Sequence, residues 1–200
     1  MSQHSPLFPA TTMPDREWWS ALWPDPADTL KALGIQAGQR VVDLCCGDGF
    51  FTAPLSQLVG GGLYGVDLSE EMLAQARAAV AESHAPEVTF IAGDARDLQQ
   101  MIPEPVDLLL IANTFHGVPD KPALCQGVYE VLKPGGHFII VNWHRNPREE
   151  TLVLGSPRGP KYVMRMTPQM VREVVELVGF ELQEVIELPP YHYGAVFVRN

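Results

Sequence analysis

The chain has 200 residues, 46% of them hydrophobic and 19% charged, a composition that suits one domain with a single buried core. Its 14 basic residues against 24 acidic ones give a formal charge of −10 with histidine neutral, which argues against general binding to nucleic acid or to an anionic membrane surface. Three cysteines make no C-x-x-C pair or disulfide framework, and neither a basic-then-apolar leader nor a membrane-length apolar run stands out, so the expectation is a cytoplasmic protein, monomeric or homodimeric.

Residues 1–12, M-S-Q-H-S-P-L-F-P-A-T-T, are rich in proline and polar groups and read as a loose arm. Pro14, Asp15 and Glu17 then suit a helix N-terminus, and Trp18, Trp19, Leu22 and Trp23 crowd one face before Pro24 and Pro26 stop it. Three tryptophans so close together fit either a lid over a pocket or a helix docked on the core, and the sequence leaves both open. The chain is accordingly divided into residues 1–29, an arm with a tryptophan-rich lid helix, and residues 30–200, the main domain. Asp25 as N-cap, Pro26 at the first helical position and Gly34 beyond Leu33 frame a short second helix.

Arg40 to Thr52 organises everything that follows. Val41, Val42 and Leu44 form a short apolar strand around Asp43, and the strand runs into two glycines one residue apart, Gly47 and Gly49. Phe51, Leu55, Leu58 and Val59 then recur at helical spacing, with Pro54 in the first turn. Strand, glycine turn and helix N-terminus together bring bare backbone and unpaired N–H groups up to a ligand, as in nucleotide sites. A dinucleotide fingerprint needs a third glycine, and here Phe50, Phe51 and Thr52 follow Gly49 instead. Asp43 also sets a negative charge where a pyrophosphate would lie, so a cationic ligand suits the turn better. The stretch D-L-C-C-G-D-G-F-F-T resembles the first motif of class I S-adenosylmethionine (SAM) methyltransferases, D-x-x-x-G-x-G. The commoner motif has glycine at the position of Cys45, which predicts a slightly different backbone there, while cysteine at the position of Cys46 is frequent in the family.

Leu63, Tyr64 and Val66 make a second strand ending in Asp67, about twenty residues beyond Gly47, the spacing of a carboxylate that binds a ribose diol. Leu68 follows it into the site, and Ser69 caps a helix whose Met72 either packs on an adenine ring or is a core contact. A third strand, Val88 to Ile91, leads to Asp94 and Ala95. The resemblance implies that Asp94 accepts from the adenine amino group while Ala95 lets the ring lie flat; Asp94 also suits a helix N-cap, and Asp97 reads as surface. The apolar run V-D-L-L-L-I-A is a strand buried on both faces, and strand ends on its edge line the ligand crevice of an open α/β sheet, which makes Asn113 a candidate cofactor contact.

His116 is either an acceptor-side residue or a loop hydrogen-bonder. Residues 120–133 form a helix closed by L-K-P-G-G before the strand H-F-I-I-V-N-W, another recurrent feature of the resembled family. Tyr129 and Lys133 match the Y-x-x-x-K pair of short-chain reductases, but Lys133 abuts Pro134 at a helix end, and the match is rejected. Residues 142–166 lack a period and carry Arg145, Arg148, Arg158, Lys161 and Arg165 against Glu149 and Glu150; this basic loop in an acidic chain points to an anionic acceptor, with Arg165 as its reader. Thr167 and Pro168 begin the last helix, and two alternating strands close the chain as an antiparallel pair.

The pattern is a single doubly wound, Rossmann-like α/β domain with a mostly parallel seven-stranded sheet and an antiparallel C-terminal hairpin. The resemblance, from about Leu30 onward, implies strand order 3-2-1-4-5-7-6, SAM as cofactor, no metal, and methyl transfer to a small-molecule acceptor. The implied cofactor residues are Asp43, Cys45, Gly47, Gly49, Asp67, Leu68, Met72, Asp94, Ala95 and Asn113; His116, His144, Tyr191 and His192, with Tyr193 beside them, are candidate catalytic residues. The alternatives are an NAD(P)-dependent reductase and a SAM-binding protein without turnover.

Overall fold

A computed structural model describes residues 16–200; the arm and the Pro14–Asp15 helix start lie outside the described residues. Helix α1 (Arg16–Leu22) carries Trp18 and Trp19, with Trp23 just beyond its end, and α2 (Pro26–Ala32) starts as its N-cap requires, with Asp25 Oδ1 accepting from the Asp28 N–H at 3.0 Å. Five strands alternating with four helices follow. They are β1 (Val41–Leu44), α3 (Thr52–Val59), β2 (Leu63–Asp67), α4 (Glu70–Glu82), β3 (Val88–Ala92), α5 (Leu98–Met101), β4 (Val106–Ala112), α6 (Lys121–Val131) and β5 (Leu132–Trp143). A two-residue ribbon, β6 (Leu152–Val153) with β7 (Ser156–Pro157), forms a small sheet of its own before α7 (Pro168–Val175), β8 (Phe180–Leu188) and β9 (His192–Arg199).

The main sheet has the order β3-β2-β1-β4-β5-β9-β8, parallel through β5 and antiparallel at β9 and β8. Because β8 and β9 are its sixth and seventh strands in the chain, this is the implied order 3-2-1-4-5-7-6. Alternation in β4 separates the two layers: Leu108 and Leu110 join the core shared with α1 to α4, and Leu109 and Ile111 join the core shared with α5 to α7. One difference concerns L-K-P-G-G, which is not a simple stop between helix and strand. Leu132 already pairs with Val106, and the ladder shifts register before His137 meets Leu108. Gly136 is fixed at that shift, since a Cβ there would lie 2.8 Å from the Lys133 carbonyl oxygen.

Trp18, Trp19 and Trp23 are buried. Trp18 stacks on Trp19, Trp19 lies over Phe50, Trp23 meets Phe51 edge-on, and the sheet supplies Trp143 and His192 beneath them. Division at residue 29 therefore separates segments that share one apolar core.

Candidate active site

The C-terminal ends of the parallel strands lie along one edge of the sheet, and the backbone is unusual at two adjacent ends. Cys45 after β1 has φ +60° and Asn113 after β4 has φ +58°, left-handed conformations that a non-glycine residue adopts at a cost. Cys45, where the commoner motif has glycine, thus bends the chain in a conformation that glycine adopts without cost. Both adjacent thiols are pushed up by burial and by the charges of Asp43 and Asp67, which keeps them protonated and uncharged.

Asp67 is locked by the turn it serves. The Gly47 N–H donates to its Oδ2 and the Ser69 N–H to its Oδ1, each at 2.9 Å, leaving a lone pair on each oxygen for a further donor. Gly49 has another reason to be glycine: a Cβ would sit 2.7 Å from the Cα of Ala76, so its bare backbone lets α4 close on the turn. Asp43, 2% exposed, accepts from the Thr52 hydroxyl at 2.6 Å. Burial pushes its carboxyl up to about 6, opposed by the Thr52 hydrogen bond and reinforced by the Asp67 charge.

Asp94 caps the turn Ala95–Asp97 and also binds the Arg96 guanidinium at 2.9 and 2.6 Å, so the capping alternative holds. Ala95 is half-buried beside it, and Asp97 is half-buried as well rather than plain surface. Leu68 is 50% exposed and Met72 half-buried at the β2 end. Asn113 Oδ1 is buried with no hydrogen-bond partner. These strand ends are therefore rich in acceptors and acidic: they can satisfy hydroxyl, amino and cationic groups, and they oppose a pyrophosphate.

The four candidate catalytic side chains separate. His116 Nδ1 lies 3.1 Å from Asn142 Oδ1. His144 Nε2 is paired with Glu187 Oε2 at 2.9 Å, and the Tyr191 hydroxyl donates to the Leu152 carbonyl at 3.0 Å while its ring stacks on Trp143. His192 is fully buried between Trp23 and Trp143, with both ring nitrogens unpartnered and its basicity strongly lowered by burial.

Arg165 requires a correction. It is 1% exposed, and its guanidinium donates to the Pro160 and Arg158 carbonyls at 3.0 Å and to Thr151 Oγ1 at 2.9 Å, while lying 5.1 Å from the Trp143 ring centroid. It holds the loop together instead of facing an acceptor. Tyr129 and Lys133 are also engaged elsewhere, with the Asn200 carbonyl and the Asp107 carboxylate, consistent with rejecting the reductase pair. Asn142 and Thr52 escape the sequence reading. The available signal was a lone polar residue in the apolar strand before Trp143, and a hydroxyl nine residues after Asp43.

A family model described as a methyltransferase domain matches residues 41–136, the segment from β1 to the register shift in β5. Over 116 residues the chain is 36% identical to the demethylmenaquinone methyltransferase of Shouchella clausii, covering 57% of this chain and 49% of that protein. It is 26% identical over 164 residues to the ubiquinone biosynthesis O-methyltransferase of Pseudomonas entomophila, covering 76% and 68%. The crystal structure of a SAM-dependent methyltransferase from Aquifex aeolicus superposes with a TM-score of 0.77 at 24% identity, over 94% of this chain and all of that one. Over the segment 41–136 the chain is similar to methyltransferases, and its fold is that of a SAM-dependent methyltransferase. It spans about half the length of the demethylmenaquinone methyltransferases it matches. The acceptor-rich strand ends fit SAM as cofactor, whose sulfonium, ammonium, ribose diol and adenine amino group are all positive or hydrogen-bond donating. Among the described residues, no helix is long and apolar enough to cross a membrane, and no three or more His, Cys, Asp or Glu side chains are grouped to hold a metal.

Proposed function

We propose that the protein methylates a small-molecule acceptor with SAM, in the cytoplasm and without nucleic acid or membrane as partner. The supporting observation is the anchored Asp67 carboxylate, presented by the glycine turn with one lone pair free on each oxygen. SAM supplies an electrophilic methyl group on a sulfonium. Asp67 holds its ribose diol, Leu68 and Met72 flank the adenine, Asp94 and Ala95 receive the amino edge, and Asn113 Oδ1 takes an N–H that no protein group offers it. Gly47 and Gly49 keep the turn free of side chains, Cys45 bends it, and Asp43 lies beneath it as the counter-charge. Displacement at a sulfonium methyl needs alignment and exclusion of water above all, and the Trp19 ring stacked on Phe50 brings apolar surface to the glycine turn.

With Arg165 tied to its own loop, an anionic acceptor loses its strongest support, leaving exposed Arg145, Arg148 and Lys161. The relatives named for demethylmenaquinone and for O-methylation in ubiquinone biosynthesis make quinone-type rings the first class to try. The test is a turnover screen with methyl-labelled SAM against quinols, phenols, carboxylates, thiols and metalloid anions. Transfer of label to one class supports the reading. SAM binding with no transfer to any of them would favour a binding protein without turnover.

A further inference from the structure

We propose that His116 is the general base for a neutral, hydroxyl-bearing acceptor, and that the buried Asn142 amide oxygen dictates which ring nitrogen takes the proton. The inference rests on the methyltransferase reading and deepens it.

Asn142 lies in the core on β5 opposite Tyr193 of β9, and both are fully buried. The Tyr193 hydroxyl is committed to the Met166 carbonyl at 2.9 Å, and Asn142 Nδ2 is buried without a hydrogen-bond partner. Asn142 Oδ1 faces His116 Nδ1 at 3.1 Å and accepts from it. A neutral imidazole carrying its hydrogen on Nδ1 has its lone pair on Nε2.

The ring is also placed and kept neutral. His116 lies three residues beyond Asn113 on the turn Phe115–Gly117, whose Phe115 is fully buried and fixes the backbone. Burial lowers its basicity; the Asn142 hydrogen bond opposes this, and the positive charges of Lys121 on α6 and Arg165 before α7 add to it, while His192 on β9 is itself kept neutral. The other candidates are engaged, His144 with Glu187, Tyr191 with Leu152, and His192 sealed between tryptophans. In the step, the acceptor O–H proton passes to His116 Nε2 as the oxygen lone pair forms the new O–C bond. The methyl–sulfur electron pair stays on sulfur as a thioether, and the imidazolium returns its proton to solvent. A neutral phenol or quinol is the acceptor class for which such a base matters, because its proton must leave.

The experiment combines ring-nitrogen NMR of the full chain with labelled-methyl turnover on hydroquinone. The wild-type spectrum at pH 7 is expected to show His116 protonated on Nδ1 and bare on Nε2, with a titration midpoint below 6.5. Asn142→Asp should move that midpoint upward, and Asn142→Leu should abolish the single tautomer. His116→Gln should lower hydroquinone turnover on the order of 10²- to 10³-fold and remove the acidic limb of the pH profile with SAM affinity unchanged. A bare Nδ1, an imidazolium at pH 7, or a His116→Gln protein within threefold of wild type would overturn the assignment. A wild-type protein that binds SAM but leaves hydroquinone unmethylated overturns the acceptor class, whereas failure to bind SAM overturns the underlying reading instead.

Discussion

Asp43 shows how one residue can be costly to the fold and useful to the site. Its carboxyl, raised from an ordinary 3.8 to about 6 by burial, binds a proton more tightly in the folded chain than in the unfolded one. Its contribution to folding stability is therefore greatest below about pH 4 and is lost as pH rises through 6, by about 3 kcal/mol in all. Asp43→Asn, which can still accept from Thr52, should raise the melting temperature at pH 7.5, leave it little changed at pH 4, and weaken SAM binding. Equal melting temperatures at pH 7.5 would show that the charge is not buried as described. Arg165 makes the opposite case, because its role is internal: Arg165→Met removes donors from two carbonyls and Thr151, and should destabilise the protein by about 2 to 4 kcal/mol. Chemical denaturation checks this, and an acceptor-specific rise in KM without loss of stability would restore the substrate-reading role. The sequence could not show this, because Arg165 takes its partners from residues 151–160 and its stacking surface from Trp143. Asp67 was legible for the reverse reason, since it ends a strand at a fixed distance from a recognisable glycine turn.

At the scale of elements, β1, the glycine turn and α3 are dictated by local signals, and the β/α alternation follows from apolar periodicity that burial confirms. The five-residue turn L-K-P-G-G was harder, because only pairing of Leu132 with Val106 shows that β5 begins before the glycines. Helix α1 is where packing and function overlap. Its tryptophans form one aromatic cluster with Phe50 and Phe51 of the turn and with Trp143, so a lid role requires α1 to move as a unit or to act by shaping the turn. Trp19→Ala, which removes the ring over Phe50, should cost about 3 to 5 kcal/mol of stability and weaken SAM binding together. Stopped-flow Trp fluorescence distinguishes the two roles: a SAM-dependent change that vanishes in Trp19→Phe supports closure over the cofactor, and an unchanged emission makes α1 a docking helix.

The whole molecule is one sheet between two apolar cores, and at the ends of β1 and β4 it carries two left-handed residues, Cys45 and Asn113, beside the buried Asp43. The decisive measurement there is calorimetric titration of SAM into the wild-type chain and Asp67→Ala, repeated at pH 5.5 and 7.5, with NADPH as the competing ligand. A cation settled over the turn favours ionised Asp43, so wild-type affinity should increase with pH through about 6, with protons released on binding at pH 5.5. Asp67→Ala should lose roughly tenfold or more in affinity, on the order of 1 to 3 kcal/mol, and NADPH should not bind. Binding of NADPH in place of SAM, or SAM affinity indifferent to Asp67→Ala in a folded protein, would contradict the account.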